Sequence, residues 1–149
     1  MSKSRTVESE IRARKAALWI LFAMDVTGLP MEELLFDSRS TLYDLEPELE
    51  HGWSRLEDRL NGLYDEMDRI NAEIQKVSPR WKVERMAIMD RNILRLGAWE
   101  ILSDHQPPIA VINACIELAK LYGEKGTPAF VNGLLDELCK SHSIEVSSV

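Results

Sequence analysis

The sequence has few of the residues that interrupt helices or form disulfide bonds. Only two of its 149 residues are cysteine, seven are glycine and six are proline. Cys115 and Cys139 are too few for a disulfide scaffold and lack the spacing of a metal site. The scarcity of glycine and proline, beside abundant leucine and glutamate, favours helices. We therefore expect reduced thiols and no metal in a helical protein.

Motifs of catalysis are missing as well. Only three histidines are present, and no HExxH, GxxxxGK[ST] or GxSxG pattern occurs. There is no glycine-rich phosphate loop, so nothing points to a nucleotide cofactor. No local pattern supports Cys115 as a nucleophile paired with a histidine. We predict a protein that is not an enzyme and that binds no cofactor.

Long apolar runs are also absent. None approaches the roughly 20 residues that a membrane-spanning helix needs, and the first residues, MSKSRTVESEIRARK, lack the apolar core of a secretory signal. The length fits one domain with a proper core. We expect a single domain over residues 1–149 that resides in the cytoplasm, with residues 141–149 as a frayed tail.

Charge is distributed unevenly along the chain, whose net charge is −7. Residues 1–15 carry five basic and two acidic side chains, residues 16–73 four basic and fourteen acidic, and residues 74–149 nine of each. A polyanion would be attracted to the N-terminal cluster and repelled by the middle. The acidic middle suits a basic protein partner. Solvated helix faces that keep the protein soluble are the competing interpretation.

Apolar residues recur at helical spacing in six segments, and no segment has the alternation of a strand. The predicted helices cover residues 7–26, 31–36, 49–77, 79–103, 109–122 and 129–140. Ser78 and Thr127, each followed by proline, are predicted to start helices. Joined by short loops, these segments predict an all-α bundle of six or seven helices.

Two of these segments have distinctive patterns. Residues 49–77 carry apolar side chains at alternating steps of four and three, which indicates a helix along the bundle core or, alternatively, a coiled-coil dimer. Residues 90–103 are apolar on most sides, which predicts the central helix. Within it, Gly97 is expected to permit the close approach of another helix, and Gly133 is expected to do the same near the C-terminus. The charged residues from Asp90 to Glu100 are expected to tie neighbouring helices together.

The last third of the chain contains three runs with short breaks between them: DRNILRLGAWEIL at 90–102, VINACIELAKLYG at 111–123 and FVNGLLDEL at 130–138. In order, spacing and the FVNG-x-LD ending they resemble the NusB family of bacterial transcription antitermination factors. The resemblance is good over residues 79–138, moderate in the first helix and poor in the middle. It implies two packed three-helix sub-bundles.

The resemblance also implies where RNA is bound: on the basic N-terminal helix, on aromatic side chains and on the loop between the last two helices. Carried over by position, the predicted contacts are Arg12, Arg14, Lys15, Phe22, Tyr122 and Phe130. Cations of this kind hold phosphates, and flat rings stack on unpaired bases. The chain departs from the family at Gly126-Thr127, where many members have an acidic residue followed by serine. It also lacks the family's F-x-x-x-L-x-x-G-V pattern in the middle.

By the same resemblance, the expected partners are boxA RNA of nascent ribosomal RNA leaders, the small-subunit ribosomal protein NusE and the transcription elongation complex. Because the N-terminal charge of +3 is small, we expect a basic partner docked on the acidic middle to complete the RNA site. Two other functions stay open. One is a helical adaptor that forms a homodimer and does not bind RNA. The other is a detached domain related to rRNA methyltransferases, although no cofactor-binding half is present in the sequence.

Overall fold

Helices account for nearly all of the regular structure. The computed structural model describes residues 3–103 and 106–146, with side chains from residue 8 onward. Within these ranges there are seven α-helices, one 3₁₀ turn and no strand, which confirms the all-α prediction. They divide into two compact units, Met1–Tyr64 and Asp65–Val149. The single domain inferred from the sequence stays a prediction. No helix in the described part is long and apolar enough to cross a membrane.

The first unit begins with helix α1, Lys3–Thr27, which ends where the sequence predicts. The Thr27 hydroxyl donates to the Ala23 carbonyl at 2.6 Å, and Gly28 then adopts a φ of +73°. This left-handed conformation favours glycine and ends the helix. Several alanines lie on the buried side of α1, so a neighbouring helix can approach closely, and α1 packs against α2.

Helix α2, Met31–Leu45, is longer than predicted. The sequence prediction of a short helix that ends at Phe36 is wrong. Buried Leu42 lies two turns after buried Leu35, so one apolar stripe continues along the helix. The same extension places Arg39 one turn before Tyr43, whose hydroxyl accepts a 2.9 Å hydrogen bond from Arg39 Nε.

Helix α3, Leu49–Asp65, joins α1 and α2 in the first unit. Its Trp53 meets the ring of Tyr43 edge-on, with ring centroids 5.4 Å apart. On the other side, buried Arg59 donates to the carboxylate of Glu10 on α1. The stripe of Leu56, Leu60 and Leu63 is fully buried, as the interpretation of a core helix predicts.

The predicted single helix over residues 49–77 is interrupted. It ends at Asp65, and α4, Met67–Val77, begins after Glu66, whose φ and ψ of −108° and 13° are not helical. The Glu66 carboxylate accepts hydrogen bonds from Arg69 at 2.8 Å and from the Trp99 indole at 3.1 Å. Neither proline nor glycine marks this break, so the sequence gives no local signal for it.

The helix start predicted at Ser78-Pro79 is also wrong. Residues 79–80 form a turn, Trp81 lies in a bend, a 3₁₀ turn follows at Val83–Arg85, and helix α5 begins only at Ile88. Instead of capping a helix, the Ser78 hydroxyl donates to the carbonyl of Trp81 at 2.7 Å. The segment is therefore an ordered, non-helical loop.

The rest of the second unit is built around α5, Ile88–Leu102, which packs against α4 and against α6, Pro108–Tyr122, and α7, Thr127–Ser141. This confirms the central position predicted for α5. A Cβ added at Gly97 would lie 2.8 Å from Cys115 Sγ, so the close approach predicted there is present. Gly133, in contrast, is exposed with open space around its Cα, and the tight packing predicted there is wrong.

Polar side chains also link the helices of the second unit. Arg95 Nε donates to Asn71 Oδ1 on α4 at 2.9 Å. At the end of α7, His142 Nε2 lies 2.5 Å from Glu73 Oε2, also on α4. The frayed tail predicted for residues 141–149 lies partly outside the described residues. Within the described part, the Ile144 amide donates to the Cys139 carbonyl at 2.8 Å.

Candidate nucleic-acid interface

One face of α1 presents cations and rings to solvent. Arg12, Lys15 and Phe22 are separated by three and seven residues, which places them on one side of the helix. All three are partly or largely exposed. Trp19 lies four residues after Lys15 and three before Phe22, so it shares this face and is half-buried. The same helical spacing would have identified Trp19 in the sequence, where it was not predicted.

Arg12 is held loosely. Its guanidinium lies 3.8 Å from the carboxylate of Glu8 and 3.7 Å from that of Glu46. Partly exposed pairs at such distances contribute little stability. A phosphate that approaches this face can therefore pair with the Arg12 guanidinium, because breaking the two carboxylate pairs requires little free energy.

Arg14 differs from its neighbours. Only 6% of it is exposed, and it takes part in at least one polar or electrostatic interaction within the chain. Because its spacing from Arg12 is two residues, it lies on another side of α1. This burial counts against a direct contact between Arg14 and a phosphate.

Tyr122 is the last residue of α6 and lies half-buried before the loop that leads to α7. The loop closes tightly, because a Cβ added at Gly123 would lie 2.6 Å from Thr127 Cβ. The Thr127 hydroxyl accepts a 2.9 Å hydrogen bond from the Glu124 amide. The backbone between Tyr122 and α7 is thus fixed by its own contacts.

Phe130, in the first turns of α7, is half-buried and lines a cavity in the second unit. The cavity has a volume of about 690 Å³. It combines apolar, aromatic and basic side chains: Pro79, Arg80, Trp81, Lys82, Arg85, Met86, Ala87, Asp90 and Phe130. The sequence prediction included Phe130 and missed the others. The only signal in the sequence was a tryptophan close to three basic residues within residues 80–85.

These surfaces have side chains of the kind that bind a polyanion. Four of the predicted contacts lie in the first unit, and Tyr122 and Phe130 lie in the second. Within the described ranges, no group of three or more histidine, cysteine, aspartate or glutamate side chains could hold a metal ion. Exposed cations with partly exposed rings can bind phosphates and stack on bases.

Comparison with known proteins decides the family. The model of the NusB family matches residues 11–140. The chain belongs to the NusB family. A transcription antitermination protein NusB from Sorangium cellulosum is 36% identical over 129 residues, which are 86% of this chain and 89% of that protein. The family inferred from the last third of the sequence is therefore confirmed.

Solved structures of NusB proteins have the same fold as this chain. The NusB of T. maritima is 28% identical, with a TM-score of 0.75, over 87% of this chain and 89% of that one. The NusB fold is also found in a crystal structure of antitermination factors NusB and NusE in complex with dsRNA. That match has a TM-score of 0.77 at 22% identity and covers 90% of this chain and 98% of the other. The six RNA contacts inferred from the sequence stay predictions.

Proposed function

We propose that this NusB-family chain is a transcription antitermination factor that binds boxA RNA of nascent ribosomal RNA leaders together with NusE. The observation that carries the proposal is the α1 face that Arg12, Lys15 and Phe22 share, each at least partly exposed to solvent. Cations of this kind can hold phosphates, and flat rings can stack on unpaired bases. Family relatives named as antitermination proteins support this function, and a NusB–NusE–dsRNA structure of the same fold supports both partners.

The proposed activity is assembly without catalysis. The chain joins RNA to NusE, and the pair then acts on the transcription elongation complex in the cytoplasm. Support comes from the composition of the candidate surfaces, which hold cations and aromatic rings.

Charge suggests why two proteins are needed. The cluster of residues 1–15 has a balance of only +3, whereas residues 16–73 carry fourteen acidic side chains. Because counterion release scales with the number of phosphates neutralised, this chain alone should bind RNA weakly. A basic partner on the acidic surface would contribute further cations to one composite site. A homodimer through the residue 49–77 stripe is disfavoured, because Leu56, Leu60 and Leu63 are already buried.

The composite site is tested by measuring the affinity of a boxA-containing RNA for this chain, for NusE and for the mixture, all at one salt concentration. We expect the mixture to bind much more tightly than either protein alone. A dsRNA of the same sequence, measured in parallel, shows whether the unpaired form is preferred. Equal affinities with and without NusE would overturn the composite site.

The α1 face is tested by the double variant Arg12→Ala with Lys15→Ala. It should weaken RNA binding and reduce the slope of log affinity against log salt by about 1.4, since each phosphate contact with a single strand contributes about 0.7. The matched control is Arg55→Ala with Lys140→Ala, which removes two exposed cations elsewhere. If both double variants shift the slope equally, α1 is not the RNA-binding face.

A further inference from the structure

A tryptophan in the loop before α5 is exposed although its backbone is held rigidly. Trp81 is 62% exposed. Large aromatic side chains are highly buried on average, and an exposed ring that belongs to a larger apolar surface can mark a binding site. Trp81 was not among the contacts predicted from the sequence.

The backbone around Trp81 is fixed by two polar side chains. The carbonyl of Trp81 accepts hydrogen bonds from Ser78 Oγ at 2.7 Å and from Gln75 Nε2 at 3.1 Å. Gln75 also accepts from the Val83 amide at 3.1 Å and donates to the Ser78 carbonyl at 2.8 Å. The loop is thus held from both sides of Trp81. Because the backbone is already ordered, little further backbone entropy is lost when a flat ligand stacks on the Trp81 ring.

The cavity beside Trp81 offers the other surfaces that such a ligand needs. Met86 and Ala87 supply apolar lining, and Phe130 of α7 supplies a second ring. A volume of about 690 Å³ lies within the range of small-ligand pockets, which is about 300–1,000 Å³. Asp90 also lines the cavity, and its Oδ1 accepts a hydrogen bond from the Thr127 hydroxyl. The pocket is therefore suited to a planar group that is partly apolar.

The remaining lining residues are cations. Arg80, Lys82 and Arg85 are exposed. None of the three makes an ion pair within the described residues, whereas other surface cations of this unit, such as Arg69 and Lys140, are paired with carboxylates. Three cations at the edge of an aromatic pocket fit a planar base that is linked to phosphates.

We infer that this pocket binds one unstacked nucleobase of a single-stranded RNA, with its ring against Trp81 and the adjoining phosphates on Arg80, Lys82 and Arg85. The inference rests on the proposed function, because it adds an RNA contact in the second unit to the α1 face. A nucleobase is favoured over a protein segment as the occupant, because cations lie next to the Trp81 ring on a loop whose backbone is held by hydrogen bonds. A NusE segment as the occupant is an outcome that the experiment distinguishes.

The stacking contact is tested by measuring the affinity of the boxA-containing RNA for Trp81→Ala and Trp81→Phe, in the presence of NusE. Loss of one stacked base should weaken binding roughly tenfold in Trp81→Ala, and Trp81→Phe should retain most of the affinity. As a control, the affinity of each Trp81 variant for NusE is measured without RNA, and it should match that of the unaltered protein.

The phosphate contacts are tested by Lys82→Ala with Arg85→Ala. The salt slope should fall by about 1.4, and Lys120→Ala with Lys140→Ala should not change it. As a direct readout, photo-crosslinking of a 4-thiouridine-substituted boxA RNA should place a crosslink in the peptide that holds Trp81.

The outcomes separate this inference from the proposed function. If the unaltered protein with NusE does not bind the RNA, the proposed function fails. If it binds and the Trp81 and Lys82/Arg85 variants bind equally well, the function stands and the pocket inference is overturned. If these variants instead lose affinity for NusE measured without RNA, the pocket holds a protein segment and the inference is likewise overturned.

Discussion

The hydroxyl of Thr127 donates to the carboxylate of Asp90 across 2.9 Å, which ties the first residue of α7 to the first turn of α5. The same hydroxyl accepts from the Glu124 amide in the loop before α7. Thr127 is buried, so its hydroxyl cannot easily turn to water instead. The sequence departs here from the acidic-serine pair of many NusB proteins, and Thr127 supplies a hydroxyl at the serine position. One side chain thus fixes both the loop after Tyr122 and the start of the helix that carries Phe130.

Replacing Thr127 with valine should therefore destabilise the protein. Thr127→Val keeps the shape but leaves the Asp90 carboxylate and the Glu124 amide without this partner. We expect the free energy of unfolding to fall by about 1–3 kcal/mol in denaturant titrations. Thr127→Ser keeps the hydroxyl and should lose much less. A Thr127→Val protein as stable as the Thr127→Ser protein would mean that the hydrogen bonds do not hold the loop.

Two glycines in helices should respond in opposite ways to alanine. A Cβ at Gly97 would meet Cys115 Sγ at 2.8 Å and Leu135 Cδ1 at 2.9 Å. The resulting strain of about 1–3 kcal/mol should exceed the gain in helix propensity, which is about 1 kcal/mol. Gly97→Ala should therefore lower the midpoint of denaturation. Gly133→Ala meets nothing within 4 Å and should raise stability by about 0.5–1 kcal/mol. Stabilisation by both changes would contradict the close approach at Gly97.

The sequence predicts those helices whose boundaries depend on neighbouring residues. It does not predict breaks that depend on contacts between residues far apart in the chain. Helical periodicity located α6 and α7, and the apolar residues around Gly97 indicated that α5 is the central helix of the second unit. The interruption at Glu66 was not predictable, because it coincides with hydrogen bonds from Arg69 and from Trp99, which lies 33 residues away. The loop at Ser78 was misread for a similar reason. Its serine and proline are typical of a helix start, yet Ser78 and Gln75 hold the carbonyl of Trp81.

The candidate site was also predictable only where its signal was local in the sequence. The resemblance to the family identified the basic residues around Arg12 as RNA contacts. Helical spacing then shows that Arg12 and Lys15 lie on one face of α1 and Arg14 on another. The sequence alone did not distinguish buried Arg14 from exposed Lys15, because their burial depends on which other elements cover α1. The pocket at Trp81 required the structure, since it brings residues 79–87 beside Phe130, more than forty positions later.

Arg12 and Arg14 should have separable roles. Arg14→Met removes a buried charge that is engaged within the chain and should lower the free energy of unfolding by about 1–3 kcal/mol. Arg12→Met removes only long, partly exposed ion pairs, so stability should change by less than about 1 kcal/mol. Its RNA affinity should fall, with the salt slope smaller by about 0.7. Thermal unfolding and RNA titration of the two variants give the comparison. If Arg14→Met alone weakens RNA binding while the protein remains folded, the phosphate contact belongs to Arg14.

The contact between α4 and the end of α7 should depend on pH. The hydrogen bond from His142 is the main cause that holds the pKa of Glu73 below its ordinary value, and Lys76 adds to the effect against the opposing effect of burial. A carboxylate whose pKa is lowered by folding stabilises the protein above its unfolded pKa of about 4.3. That contribution is lost as the pH falls through the lower pKa of the folded state.

His142→Ala should therefore lower the free energy of unfolding by up to about 1 kcal/mol near pH 6, because the pair is only partly buried. The difference from the unaltered protein should shrink as the pH falls through the lowered pKa of Glu73, because its carboxylate then becomes protonated in both proteins. Denaturant titrations across this range measure it. His51→Ala, at an exposed histidine of α3, is the matched control and should show no such trend. If the effect of His142→Ala persists unchanged in Glu73→Gln, the two side chains are not coupled and the pH dependence has another origin.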